Sequence, residues 1–249
     1  MRHSIIWYAI VLMAFCHTAR AAEVVVAVAA NFVPVLQKLV PDFESVSGHH
    51  IQIITGSTGK LYAQIRQGAP FDVFLAADRR RPLRLEQARL TVAGSRFTYA
   101  IGRLVLWGAD KSVRNGLKGL ASDGIHRIAI AEPETAPYGR AAYEALRTAG
   151  LWQTLQSKLI RGENISQAFH YVVSGNADVG LVALSQVLTY QSHAAGVSYH
   201  LVPATDYTAL EQQAVLLQRG AGNPAATAFM AFMKAPHTRA TIRDYGYGL

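Results

Sequence analysis

The sequence predicts an α/β protein of two lobes, each a mainly parallel sheet flanked by helices. Three observations carry this. Apolar, β-branched runs alternate with helical periodicity, which is the signature of βα units. Two such blocks of similar length follow one another, on either side of about residue 100. The tail after Leu217 is too short to stand alone and must return to one of them.

The elements follow in order. Glu23 to Ala30 (EVVVAVAA) is continuously apolar, as expected of a strand buried on both faces. Asn31, a favoured N-cap, opens a helix whose Phe32, Val35, Leu36, Leu39 and Val40 share one face, with Pro34 in the first turn. His50 to Thr55 is a second strand. Ser57 caps a helix bearing Leu61, Tyr62 and Ile65, and Gly68 stops it. Phe71 to Ala76 is a third strand, so the early chain reads β-α-β-α-β.

"TYAIGRLVLW" from Thr98 reads as one long apolar strand, followed by a polar loop through Asp123. Strand–helix units resume with Arg127 to Ala131, a helix from Tyr138 to Thr148, Lys158 to Arg161, a helix from Ile165 to Ser174, and Val179 to Ala183. A strand near Gln213 to Leu217 and a helix from Pro224 to Met233 close the chain. The predicted lobes are 22–100 with 218–249, and 101–217.

The 249 residues are 51% hydrophobic and 16% charged, a globular composition. Arg2 and His3, an apolar run from Ile5 to Cys16 and small residues through Ala21 have the layout of a secretory signal, predicting cleavage before Ala22. A lipid anchor on Cys16 is disfavoured by bulky Phe15. Cleavage removes the single cysteine, excluding disulfides and thiol chemistry, and an exported chain of this kind suits a bacterial periplasm. The formal charge falls from +8 to +6 as Arg2 and Arg20 leave. The run Arg79-Arg80-Arg81 with Arg84 has no interleaved aromatics and reads as a solvated loop and helix start; no nucleic-acid groove is predicted.

"ITGSTGKLYAQI" (Ile54 to Ile65) has the chemistry of an anion site. It is not a nucleotide loop. Ile54 stands where the first glycine of a Walker A loop belongs, and Leu61 replaces the magnesium-binding hydroxyl. What remains is Ser57 and Thr58 at a strand-to-helix junction, where free amides and the helix dipole favour an anion and glycines leave room for backbone to approach it. Three further junctions offer the same: Ala30-Asn31, Tyr138-Gly139 and Asn164-Ile165-Ser166. Open α/β sheets bind ligands at that edge, so four helix starts converging on one cleft predict a small anion among neutral donors. Catalytic patterns are absent: "GSTG" is no hydrolase elbow, and the histidines have no metal-ligand spacing. Glu132 and Glu134 read as solvated turn residues.

The blocks "AANF", "GSTGKLYAQIRQGAPFDVFLAAD", "GSRFTYAIGRLVLW", "APYGRAAYEAL" and "GNADVGLVALSQV", with the "YGY" ending, resemble the periplasmic molybdate-binding proteins of ABC importers. The resemblance implies a two-lobed, hinge-closing binding protein of the type II periplasmic class. It implies delivery of molybdate, and of tungstate, to a membrane permease with its ATPase, with no cofactor, no free metal cation and no catalysis; a monomer is expected. It implies a ligand shell of Asn31, Ser57, Tyr138 and the backbone of Ile165, with Ala30 and Thr58 as further contacts. Ala30 lacks a hydroxyl that some members carry there. Ala183 stands where others donate a tyrosine, a role that passes to Tyr138. Lys60 is expected to face solvent. The rival readings are another oxyanion such as sulfate on the same fold, a secreted serine hydrolase using Ser57, and a sensor module.

Overall fold

The computed structural model of the chain describes residues 21–108, 111–191 and 198–249. The signal-peptide reading, apart from Ala21, and the Cys16 alternative lie outside them. β1 (Glu23–Ala29) passes through a 3-10 turn (Ala30–Phe32) into α1 (Val33–Ser47), then come β2 (His50–Gly56), α2 (Thr58–Arg66), β3 (Val73–Ala76), α3 (Arg80–Gln87) and β4 (Phe97–Gly102). After β5 (Leu104–Gly108) follow β6 (Ile128–Ala131), α4 (Pro137–Thr148), β7 (Leu159–Gly162), α5 (Ile165–Val173), β8 (Val179–Ala183) and α6 (Leu184–Gln191). β9 (Ser198–Leu201), β10 (Leu210–Leu216), α7 (Pro224–Phe232) and α8 (Pro236–Asp244) complete the chain.

The strands form two five-stranded sheets, in the orders β2-β1-β3-β10-β4 and β7-β6-β8-β5-β9. In the first, β1 pairs parallel with β2 and β3, and β10 runs antiparallel between β3 and β4. In the second, β6 pairs parallel with β7 and β8, and β5 runs antiparallel between β8 and β9. Each sheet therefore has four strands in one direction and one reversed strand in the same relative place. The reversal follows from the chain crossing between the sheets twice, after β4 and before β10.

Those crossings correct the expected boundaries. "TYAIGRLVLW" is not one strand: Arg103 separates β4 in the first sheet from β5 in the second. Both halves are buried, so the apolar run is continuous in sequence although it changes sheets. β10, placed in the second lobe by the expected limit at 217, belongs to the first sheet.

Helix α7 packs on the first sheet, against β1 and β10, and α8 packs on α1. Phe43 of α1 meets Phe229 and Phe232 edge-on at 5.5 and 5.4 Å, within an apolar cluster that includes Val26, Val28, Leu75 and Ile242. Each fully buried aromatic of this kind contributes about 2–3 kcal/mol. Gly48, at φ 67°, ends α1 in the left-handed conformation that lets β2 begin. The second lobe has its own cluster around Leu106, Ile130, Leu146 and Leu181, and Ala29, Ala30 and Ala77 of the first lobe pack against it. The lobes are thus in contact across the carboxyl edges of their parallel strands.

Asp178 anchors the second sheet. Its carboxylate accepts from the N–H groups of His126 and Arg127, both at 2.8 Å, joining the starts of β8 and β6. These bonds, that of Arg127 foremost, hold its carboxyl below the usual range. A depressed folded value gives stability above the unfolded pKa of about 3.9 that is lost as pH falls through the folded one. Asp178→Asn is expected to lower stability at neutral pH by under about 1 kcal/mol, because the carboxylate is partly exposed. Thermal melts should show the difference between the two proteins shrinking as pH falls below the unfolded value and through the depressed folded one.

Candidate functional site

The four helix starts meet. Ala29, Ala30, Asn31, Gly56, Ser57, Thr58 and Ala77 of the first lobe, with Ala136, Pro137, Tyr138, Asn164 and Ile165 of the second, line one small cavity of about 10 Å³ for the centre of a water-sized sphere. Every expected site residue is on this wall, and none of the lining residues is ionisable except Tyr138.

Each junction leaves a first-turn donor free. In α2, the Gly59 N–H donates to the Thr135 carbonyl (2.8 Å) and the Lys60 N–H to Ser57 Oγ (3.4 Å), leaving that of Thr58. In α5, Asn164 Oδ1 takes the N–H groups of Ser166 and Gln167 (3.0 and 3.1 Å), leaving that of Ile165. In α4, Pro137 has no N–H, and no side chain caps the helix, so Tyr138 supplies the first donor. Each of these helices presents a donor and the positive end of its dipole to the cavity. Ser57 Oγ accepts the capping bond, so its own proton is left to donate. Thr58 Oγ1 accepts from the Ala77 N–H (3.1 Å) and ties α2 to the end of β3.

Asn31 behaves differently from expectation. It is not a cap: it lies inside the 3-10 turn, and Phe32 precedes α1. Both protons of Nδ2 are committed, to Gln212 Oε1 (2.9 Å) and Tyr247 Oη (3.0 Å). Behind the cavity, Gln212 Nε2 donates to Tyr138 Oη (3.3 Å), which keeps the tyrosine proton available. Tyr99 Oη donates to Gln212 Oε1 (3.1 Å). Burial first, then the neighbouring Tyr247, pushes the Tyr99 and Tyr138 phenols well above their usual range. Burial raises Tyr247 to about 12 despite bonds from Ser185 and Asn31 that lower it. All three stay protonated donors at neutral pH. Gly102 makes this possible, because a Cβ there would collide with Tyr138 Oη.

Around the cavity the lobes are clasped. The Gly59–Thr135 bond spans them, and so does Arg81, whose Nη2 donates to the Glu134 carbonyl (2.9 Å) while Nη1 pairs with Asp78. Arg81 is buried, so the arginine run is not simply a solvated loop. Glu132 and Glu134 lie at a partly exposed turn, Glu132 standing 3.7 Å from Arg161. Lys60 does not line the cavity; it is exposed, and it pairs with Glu163 of the other lobe at 2.6 Å. The glycines also change meaning. A Cβ on Gly59 would stand 2.7 Å from the Thr135 oxygen, whereas one on Gly56 would meet Leu61 at 3.4 Å. Gly59 gives room for the opposite lobe to approach, not for the anion.

Residues 24–248 match the family described as bacterial extracellular solute-binding protein. The chain belongs to that family. Among its relatives is the protein named Molybdate-binding protein ModA of Azotobacter vinelandii, 46% identical over 93% of this chain and 92% of that protein. The protein of the same name from Rhodobacter capsulatus is 42% identical over 95% and 92%. A solved structure titled as the Azotobacter vinelandii periplasmic molybdate-binding protein superposes with a TM-score of 0.86 at 40% identity, over 91% of this chain and 99% of that one. The fold is that of the periplasmic binding proteins, as expected.

Sequence reasoning missed Tyr99, Ser185, Gln212 and Tyr247. The signals were two glutamines, Gln212 and Gln213, inside an apolar strand, and a tyrosine in the terminal "YGY". Among the described residues there is no cluster of three or more His, Cys, Asp or Glu that could hold a metal ion. Since Gly59 faces the opposite lobe, Gly59→Val is expected to shift the protein toward an open form. Small-angle scattering should show a larger radius of gyration, with little change in the thermal midpoint.

Proposed function

We propose that the protein is the solute-binding component of an ABC importer, capturing molybdate, and tungstate alike, in the interlobe cavity and delivering it to the membrane permease and its ATPase. The observation that carries this is the charge-free cavity at four helix starts, together with relatives named for molybdate over more than nine-tenths of the chain. Ser57 Oγ and the amides of Thr58 and Ile165 bind the oxyanion, with Tyr138 donating from the second lobe. Asn31 contributes its backbone N–H, because its side-chain donors are engaged with Gln212 and Tyr247. Ala30 stands beside it and contributes backbone only. The chain acts as a binder and not a catalyst, and as a monomer in the periplasm after loss of its leader.

The mechanism follows from the clasp. An oxyanion meets the donors of one lobe in an open form, and the other lobe closes by bending at the two crossovers beside Arg103 and before β10. Closure surrounds the dianion with oriented dipoles, each helix start contributing about 0.3–2 kcal/mol. No lysine or arginine among the described residues lines the cavity, so size is left to separate oxyanions: donors set for molybdate or tungstate would stand too far from smaller sulfate. A hydrolase reading through Ser57 has no support, since its hydroxyl has no histidine partner among the described residues and instead caps α2.

Calorimetry is expected to show tight binding of molybdate and tungstate, with sulfate weaker by about a hundredfold or more. Ser57→Ala should weaken molybdate binding by about tenfold and cost about 1 kcal/mol of stability as a lost cap. Lys60→Ala should change affinity by less than about threefold, as for an exposed pair. Affinity should be flat from about pH 6 to 9, because the phenols around the cavity titrate only above that range. Equal affinity for sulfate, or no binding of molybdate, would contradict the assignment.

A further inference from the structure

The terminal "YGY" has no place in the ligand shell, yet the fold carries it behind the cavity. Gly248 bridges Ile101 of β4 through two backbone bonds of 2.7 and 2.8 Å, which fixes the end of the chain to the first sheet. Gly246 adopts φ 83°, and a Cβ there would stand 2.7 Å from Leu188 of α6 in the second lobe. The last residues thus form a strap pinned to one lobe and pressed against the other.

Tyr247 Oη, at the middle of the strap, uses its full hydrogen-bonding capacity. It donates to the Asn31 carbonyl (3.0 Å) and accepts from Asn31 Nδ2 (3.0 Å), so it grips the first junction by both backbone and side chain. Its remaining partner is Ser185 Oγ at 2.9 Å, from α6. Ser185 is buried and also stands 3.5 Å from the Asn31 carbonyl. The Tyr247 ring packs edge-on against Phe32 at 5.6 Å, which locates the phenol independently of its hydroxyl.

We infer that Tyr247 is a positioning residue for the oxyanion cavity, one that orients Asn31 and links it, through Ser185, to closure of the second lobe. The inference rests on the oxyanion reading above. Tyr247 touches no ligand; it sets the 3-10 turn whose amides face the cavity, and its third bond is complete only when α6 is in place. Groups that orient metal ligands change metal affinity by about 10–100-fold, and the same kind of support is inferred here for a hydrogen-bonded anion.

The test uses the mature chain with Tyr247→Phe, Ser185→Ala and the double variant, each titrated with molybdate and followed by stopped-flow displacement. Phenylalanine preserves the contact with Phe32 and removes only the hydroxyl. The expected result is affinity weakened about tenfold or more in Tyr247→Phe, carried by faster dissociation with unchanged association, beyond a modest fall in the ligand-free thermal midpoint from the buried bonds lost. Ser185→Ala should lose a smaller factor, and the double variant should be no weaker than Tyr247→Phe, because both changes break the same bond. Affinities within twofold of the parent, or fully additive losses, would overturn the positioning role. Failure of the unmodified chain to bind molybdate would overturn the oxyanion reading and this inference with it, and the two failures are told apart by which protein is silent.

Discussion

A dianion enclosed in protein without a countercharge must find enough oriented donors to replace its water. The helix starts around the interlobe cavity leave such donors unpaired. Helix starts normally satisfy their amides by capping, and here capping is incomplete in a patterned way. Asn164 consumes two amides of α5 and leaves one, Ser57 and the Thr135 carbonyl consume two of α2 and leave one, and Pro137 removes an amide of α4 altogether. The cavity wall is then neutral but strongly polarised.

That wall exists only because two similar sheets face each other with their carboxyl edges. Each sheet tolerates one reversed strand, β10 or β5, and those strands sit next to the crossovers that join the lobes. Placing Gln212 on β10 puts one side chain in reach of Asn31, Tyr99 and Tyr138 at once. The polar cluster behind the cavity therefore touches both lobes beside the crossovers that join them. Outside it, Gly59, Arg81 and Lys60 hold the rim of the cleft shut through contacts that an open form would lose.

Much of the first lobe could be read from sequence, since its strands and helices follow local rules: β-branched runs, a serine cap and a glycine stop. The four junctions could be read for the same reason. The strand at "TYAIGRLVLW" could not, because burial in two different sheets leaves the same apolar run as burial in one, and only Arg103 interrupts it. The roles of Asn31, Arg81 and Gly59 were hidden because their partners lie far away in sequence: Gln212 and Tyr247 for Asn31, Glu134 for Arg81, Thr135 for Gly59. Helices α6 and α8 escaped notice and only the start of α3 was read; α3 and α8 are largely polar, and α6 follows β8 without a turn residue between them.

The central claim is that a tetrahedral oxyanion is held between the lobes by neutral donors alone. A crystal structure of the protein grown with molybdate tests it most directly, with the anion located by anomalous scattering from molybdenum. The account predicts one molybdenum atom between Ser57 and Ile165, with oxygens contacting Ser57 Oγ, the amides of Thr58 and Ile165, and Tyr138. A lysine or arginine nitrogen in contact with the anion, or an anion bound outside this cavity, would contradict it.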